Sequence, residues 1–223
     1  MRIGALFSGG KDSTYALYLL QQQGWEISGL LTVEPRASDS YMFHYPNVRW
    51  TKLQAEAMGL PIRYRESAGL KEEELKDIEE LMRREQCDGF VCGAIESDYQ
   101  WSRLNDICHR LGKTLFSPLW RKDQVMLLED MVSAGFRFMI VGVYAEGFDE
   151  SWLGKVITSR SIRELERLRN EYRISVSGEG GEIETFVLDG PNFRKTIHVI
   201  EAETNWSRHA GNYTIREAEL EDK

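Results

Sequence analysis

Ser8-Gly9-Gly10-Lys11-Asp12-Ser13 stands between an apolar run at residues 3–7 and an amphipathic run at residues 14–23. A strand that hands over to a helix through such a loop puts phosphate-binding groups at the mouth of the helix. Two consecutive glycines let the backbone turn with no Cβ in the way, and the N–H groups of the first helical turn face whatever anion lies above them. Ser8 and Ser13 add hydroxyl donors, and Lys11 adds a positive charge. The loop is not a Walker sequence, because Asp12 follows the lysine where Ser or Thr is required and Ala5 occupies the first glycine position. It does not fit G-x-G-x-x-G either. The competing reading is a plain glycine turn in which Ser and Asp act only as caps.

Outward from this loop, strand-like and helix-like runs alternate. Residues 26–33 form a near-continuous apolar stretch, the mark of a strand covered on both faces. A polar loop with Glu34, Asp39, Ser40, Tyr41 and Met42 follows, then a helix that begins after Asn47, carries Leu53, Ala55 and Met58, and stops at Gly59 before Pro61. Residues 62–65 are a short strand. In the charged run 71–86, Leu75, Ile78, Leu81 and Met82 recur at helical spacing, and Glu72 with Lys76, Glu79 with Arg83 and Glu80 with Arg84 are spaced to pair. Residues 89–94 predict a strand that ends in Glu96-Ser97-Asp98-Tyr99-Gln100. Beyond it come a helix at 105–111, a strand at 114–117, and a helix at 123–134 capped by Asp123 and stopped by Gly135. A buried strand at 138–144 closes the alternation.

This pattern predicts an α/β domain over residues 1–145, a Rossmann-like doubly wound parallel sheet with helices on both faces. Ligands of such sheets bind at the carboxyl ends of the strands, near the switch point. The loops at 8–13, 34–42 and 96–101 all lie at those ends and are expected to share one crevice.

After residue 145 the pattern changes to a smaller α+β domain, residues 146–223. Ser161 with Glu164 reads as a capping box for a helix carrying Ile162, Leu165 and Leu168. Residues 196–203 and 213–219 alternate like the strands of an antiparallel hairpin joined across Trp206, Ser207 and Arg208. Between them lies Gly178-Glu179-Gly180-Gly181-Glu182-Ile183-Glu184-Thr185-Phe186. Its three carboxylates, Glu179, Glu182 and Glu184, repel one another unless a cation, a ligand or a basic neighbour compensates. An acidic surface turn is the alternative.

Composition narrows the function classes. The net charge of −8 argues against general nucleic-acid binding, which needs a basic footprint. No apolar run approaches the ~20 residues that cross a bilayer, and Met1-Arg2-Ile3 leads straight into the first strand, so the expected compartment is cytoplasmic. Cys87, Cys92 and Cys108 form no C-x-x-C pair and have no zinc spacing; they read as apolar residues of a reduced interior. His44, His109, His198 and His209 are scattered with no metal spacing.

SGGKDS resembles the signature of the PP-loop ATP pyrophosphatases. That likeness implies a fold of the PP-loop (HUP) type, cleavage of ATP between its α- and β-phosphates, and adenylation of a substrate oxygen. The resemblance tightens with SDSYM at 38–42, GAIESDYQWSR at 93–103, LW at 119–120, LGK at 153–155 and GEGGEIETFVLDGP at 178–191. Together and in this order they are similar to the diphthine–ammonia ligases. The implied reaction is the last step of diphthamide synthesis on elongation factor 2, in which the carboxylate of a trimethylated, histidine-derived side chain becomes an amide at the expense of ATP and ammonia. The chain departs from many of these proteins after Met42, where it has Phe43-His44-Tyr45-Pro46.

Under this resemblance Ser8, Gly9, Gly10, Lys11, Ser13 and Gly93 hold the nucleotide, and Lys11 stabilises the departing pyrophosphate. Asp12 binds Mg²⁺ or serves as a first-turn cap. Asp98, Tyr99, Trp101, Arg103 and Glu179 are candidates for substrate binding, the aromatics and carboxylates suiting a quaternary ammonium and Arg103 suiting a carboxylate or phosphate. Core packing for Tyr99 and Trp101, and a pairing of Asp98 or Arg103 within its own helix turn, are the alternatives. Glu182 or Glu184 is the candidate proton acceptor from ammonium. The expected partners are diphthine-bearing elongation factor 2 and ammonium taken from solution by an archaeal-type stand-alone enzyme, with a second copy of the chain as a further candidate. Two other readings share the loop: a PP-loop ATP pyrophosphatase acting on tRNA or a small acid, and a nucleotide sensor without turnover.

Overall fold

In the computed structural model, which describes residues 1–35, 47–67 and 71–223, the strand before the glycine loop lies at the centre of a sheet. β1 (Arg2–Leu6) pairs in parallel with β2 (Glu26–Pro35) on one side and β4 (Gly89–Val91) on the other. β3 (Ile62–Ser67) lies outside β2 and β5 (Thr114–Phe116) outside β4, so the order is β3-β2-β1-β4-β5, all parallel. A strand with neighbours on both edges and helices over both faces has no wet side, which is why Ile3, Ala5 and Phe7 are fully buried.

Four helices complete this unit: α1 (Lys11–Gln22), α2 (Thr51–Met58), α3 (Lys71–Arg84) and α4 (Asp98–Arg110). The right-handed crossover rule puts α1 and α2 on one face and, after the chain returns past β1, α3 and α4 on the other. A core of Leu31 and Val33 from β2, Ile78 and Met82 from α3, Phe90 from β4, and Leu104 and Ile107 from α4 fills that second face. The expected charge pairs on α3 form between Glu79 and Arg83 and between Glu80 and Arg84; the side chain of Glu72 lies outside the described residues. α2 stops where the sequence predicts, with Gly59 left-handed at φ 67°.

The chain divides into two compact units, Met1–Trp120 and Arg121–Lys223. That boundary corrects the expected one at residue 145. The second unit contains α5 (Gln124–Ser133), β6 (Arg137–Val143), α6 (Ser159–Tyr172), β7 (Ile183–Asp189), β8 (Lys195–Ser207) and β9 (Ala210–Asp222). Its sheet has the order β7-β6-β9-β8 and is antiparallel throughout. β6 is therefore not the last strand of the parallel sheet but an inner strand of the second one. A continuous apolar run signals burial on both faces and says nothing about which sheet supplies the neighbours.

Within this unit Asp123 caps α5 by accepting the Met126 N–H at 3.0 Å, as expected. The capping box of α6 shifts by one turn: Thr158 is the cap and Ser161 its reciprocal partner, because Glu164 is drawn to Lys155 at 2.6 Å. β8 and β9 form the predicted hairpin, turning at Arg208, which is left-handed at φ 58°.

Candidate active site

The glycine loop meets α1 at the switch point of the parallel sheet, where the strand order reverses about β1 and β4. Gly10 is the N-cap of α1 and has no side-chain cap, so the plain-cap reading of Ser8, Asp12 and Ser13 does not describe the turn. The serines are used inside the loop instead. Ser13 Oγ donates to the Gly10 carbonyl at 3.1 Å and accepts the Ser8 N–H at 3.3 Å, while Ser8 Oγ accepts the Gly10 N–H at 3.4 Å. Gly9 is left-handed at φ 82°, a conformation that a Cβ would strain. Its own hydroxyls thus tie the turn together.

Lys11 is only 3% exposed, and its ammonium lies 2.8 Å from Asp12 Oδ2. The other oxygen, Asp12 Oδ1, is buried with no hydrogen-bond partner among the described residues. A buried carboxylate oxygen left over beside a glycine loop at a helix N-terminus fits a hard cation, and Mg²⁺ commonly takes one or two protein carboxylates and completes its shell with phosphates and water. Among the described residues no group of three His, Cys, Asp or Glu side chains could hold a metal. Gly93, just after β4, closes the loop from the other side. A Cβ there would come within 2.6 Å of the Asp12 carbonyl carbon and the Ser13 nitrogen. Only glycine permits that approach.

The segment after Gly93 enters α4, capped by Ser97, which accepts the Gln100 N–H at 3.3 Å. Asp98 opens the helix and is exposed. Tyr99 and Arg103 meet one turn apart, the guanidinium 5.4 Å from the ring centroid, which is the within-helix pairing given above as an alternative. Trp101 stacks on Trp120, with ring centroids 5.2 Å apart and an interplanar angle of 19°. At 36% exposure it keeps part of its ring accessible. Of the 34–42 loop only Glu34 and Pro35 fall within the described residues; Asp39, Ser40, Tyr41, Met42 and the 43–46 departure lie outside them.

In the second unit the three glutamates are not equivalent. Glu182 folds back beneath its own loop: Oε1 accepts the Ser175 N–H at 2.8 Å, and a Cβ on Gly180 would sit 2.7 Å from that oxygen. Glu182 Oε2 is buried without a hydrogen-bond partner among the described residues. Glu179 is tied through its backbone, donating to Ser175 Oγ at 3.1 Å. Glu184 lies on β7, with the Tyr144 hydroxyl 3.4 Å from its Oε2. The single hydrogen of Tyr144 goes to the shorter contact, Asn212 Oδ1 on β9. Desolvation of this hydroxyl, although the residue is 41% exposed, with the charge of Glu184 beside it, raises the phenol above its usual range.

Residues 1–115 match the family profile described as the diphthamide synthase N-terminal domain, and residues 123–220 match that of the diphthamide synthase C-terminal domain. The chain belongs to the diphthamide synthase family. It is 36% identical over 226 residues to the human diphthine–ammonia ligase, spanning 91% of this chain and 84% of the human protein. It is 34% identical over 224 residues to the diphthine–ammonia ligase of Schizosaccharomyces pombe, spanning 91% of this chain and 37% of the yeast protein. Among solved structures, a predicted subunit of tRNA methyltransferase from Methanocaldococcus jannaschii aligns with a TM-score of 0.46 at 15% identity, over 86% of this chain and 98% of that one.

For this member of the diphthamide synthase family, the three cysteines are buried free thiols, as expected. Burial pushes the Cys108 thiol up to about 12, which removes it from nucleophilic chemistry. No helix among the described residues is long and apolar enough to cross a membrane. Sequence reading passed over two residues beside the glycine loop, Thr51 and Gln54 on α2, both fully buried. Their signal was available: polar residues three apart on the helix face that also carries Ala55 and Met58. Tyr144 and Asn212 had no comparable signal, since only strand pairing brings them to Glu184.

Proposed function

We propose that the chain catalyses ATP-dependent amidation of the diphthine carboxylate on elongation factor 2, through an acyl-adenylate, with AMP and pyrophosphate as products. The observation that carries this reading is the loop at the switch point: an α1 N-terminus without a side-chain cap, two serine hydroxyls, and Gly93 packed on the first turn. A carboxylate does not yield to ammonia until one of its oxygens can leave. Attack of that oxygen on the α-phosphorus of ATP breaks the bond between the α-phosphorus and its bridging oxygen, and the bridging oxygen departs with pyrophosphate. Ammonia then adds its lone pair to the acyl carbon, AMP leaves with the former carboxylate oxygen, and one proton is lost from nitrogen.

In this scheme the backbone around Gly9 and Gly10, the hydroxyls of Ser8 and Ser13, and the Lys11 ammonium receive the charge that grows on pyrophosphate. Asp12 would hold Mg²⁺ through Oδ1, and the ion would supply neutralising charge to the phosphates. Arg103, paired with Tyr99, and Asp98 line the entry of the substrate at the start of α4. The partly exposed face of Trp101 suits the trimethylammonium group of diphthine; Tyr99, with the Arg103 cation already over its ring, suits it less. Glu184 is the acceptor for the ammonium proton, and Glu182 with Glu179 shapes the loop and its negative potential.

The test is incubation of the protein with ATP, Mg²⁺, ammonium and diphthine-bearing elongation factor 2. The expected result is AMP in step with a mass decrease in the factor of about one dalton, a neutral carboxyl becoming an amide. AMP release that does not depend on the factor, or none at all, overturns the assignment.

A further inference from the structure

The glycine loop does not hold its shape alone. Gln54, fully buried on α2, donates from Nε2 to the Gly9 carbonyl at 2.9 Å across 45 positions of sequence. Beside it Thr51, also fully buried, turns its methyl group to the same glycine: a Cβ on Gly9 would meet Gln54 Oε1 at 2.4 Å and Thr51 Cγ2 at 2.9 Å. Thr51 is itself fixed. Its hydroxyl donates to the Val48 carbonyl at 2.6 Å and lies 2.5 Å from the Tyr64 hydroxyl on β3. Because the single Thr51 hydroxyl hydrogen is given to Val48, the Tyr64 hydroxyl is the donor in that pair.

In a trans peptide the carbonyl and the following N–H point in opposite directions. Anchoring the Gly9 carbonyl to α2 therefore aims the Gly10 N–H away from α2, to the side where Ser8 Oγ accepts it. A glycine in the left-handed region has little intrinsic preference for one orientation of this peptide, and an unpaired carbonyl under α2 is costly. The orientation thus depends on a donor at position 54. We propose that Gln54 is a positioning residue for nucleotide binding, holding the Gly9–Gly10 peptide so that its N–H stays on Ser8 Oγ and the turn keeps the mouth of α1 toward the β- and γ-phosphates. The inference rests on the nucleotide reading of the loop given above, and it assigns the phosphate end of the ligand, not the adenosine end, to the control of α2.

The experiment measures equilibrium binding of inorganic pyrophosphate with Mg²⁺, and separately of adenosine, to the full chain as wild type, Gln54→Met and Gln54→Glu, with thermal midpoints recorded alongside. Methionine keeps the length and removes the donor; glutamate sets an acceptor against the Gly9 carbonyl. Pyrophosphate affinity is expected to fall about tenfold in Gln54→Met and further in Gln54→Glu, the loss of one well-aligned hydrogen bond or more, with adenosine affinity unchanged. Wild-type pyrophosphate binding in both variants overturns the inference. So does a proportional loss of both ligands, which would mark Gln54 as a packing residue only. A wild-type chain that binds neither ligand overturns the nucleotide reading itself, and this inference with it.

Discussion

The loop at 8–13 and the loop at 175–184 are both glycine-rich, both crowded with charge, and opposite in what they offer a ligand. The first runs from a strand into a helix, so its backbone ends in amide N–H groups at the positive end of α1. The second runs into a strand, β7, where no helix dipole helps, and it presents carboxylates. In the first, hydroxyls satisfy the turn and leave the helix mouth without a side-chain cap. In the second, Glu182 satisfies the turn by taking the Ser175 N–H, and Glu184 is the carboxylate standing outside it. Glycine content alone therefore says little. The element that follows the turn decides the sign of the site.

This contrast can be broken most directly at Lys11. Lys11→Ala should lower AMP formation by a factor of about 10²–10³, the scale of losing one charge-stabilising donor, while Asp12 loses its partner; unchanged turnover would remove the anion role of the first loop. Next in size, Glu184→Gln should slow amide formation about a hundredfold, as for a general base, and leave ATP–pyrophosphate exchange intact. A loss of exchange instead would move Glu184 from the ammonia step to the adenylation step.

Gly93→Ala tests how tightly the first loop is closed. With backbone atoms 2.6 Å from the new Cβ, it should cost about 1–3 kcal/mol in denaturant unfolding, the usual range for overpacking, and weaken ATP binding with it. Glu182→Ala should cost about 1–2 kcal/mol by leaving the Ser175 N–H without its acceptor. If it instead abolished amidation with stability unchanged, the two glutamates would have to exchange roles.

The smallest effect is a pH dependence. Hydrogen bonding to Arg110 first, with Arg83 adding to it, holds Glu79 below its ordinary value of 4.5. A depressed folded-state value means the stabilisation is present above pH 4.5 and is lost as pH falls through the folded value. Thermal midpoints should thus decline below pH 4.5 in the wild type and decline less steeply in Glu79→Gln.

Much of the secondary structure was legible because its signals are local. Apolar runs, the caps at Asp123 and Gly59, and helical spacing on α3 each depend on residues a few positions apart. The assignment of β6 failed for the opposite reason. Phe138 to Val143 reads as a buried strand in either sheet, and what claims it is pairing with β7 and β9, forty or more residues away. The same distance hid Gln54, whose bond to Gly9 spans two elements, and hid the difference between Glu182 and Glu184, which are spaced like any pair on one face of a strand.

By itself the order of residues determined the glycine loop between strand and helix, the class of the sheet around it and the family, since each is written in short motifs whose geometry the backbone must obey. Only the tertiary structure decided where the first unit ends, which glutamate is enclosed by its own loop, and which side chain steadies the Gly9 carbonyl. Those depend on which surfaces meet once the sheets close, and contacts between distant segments leave no periodic trace in the chain.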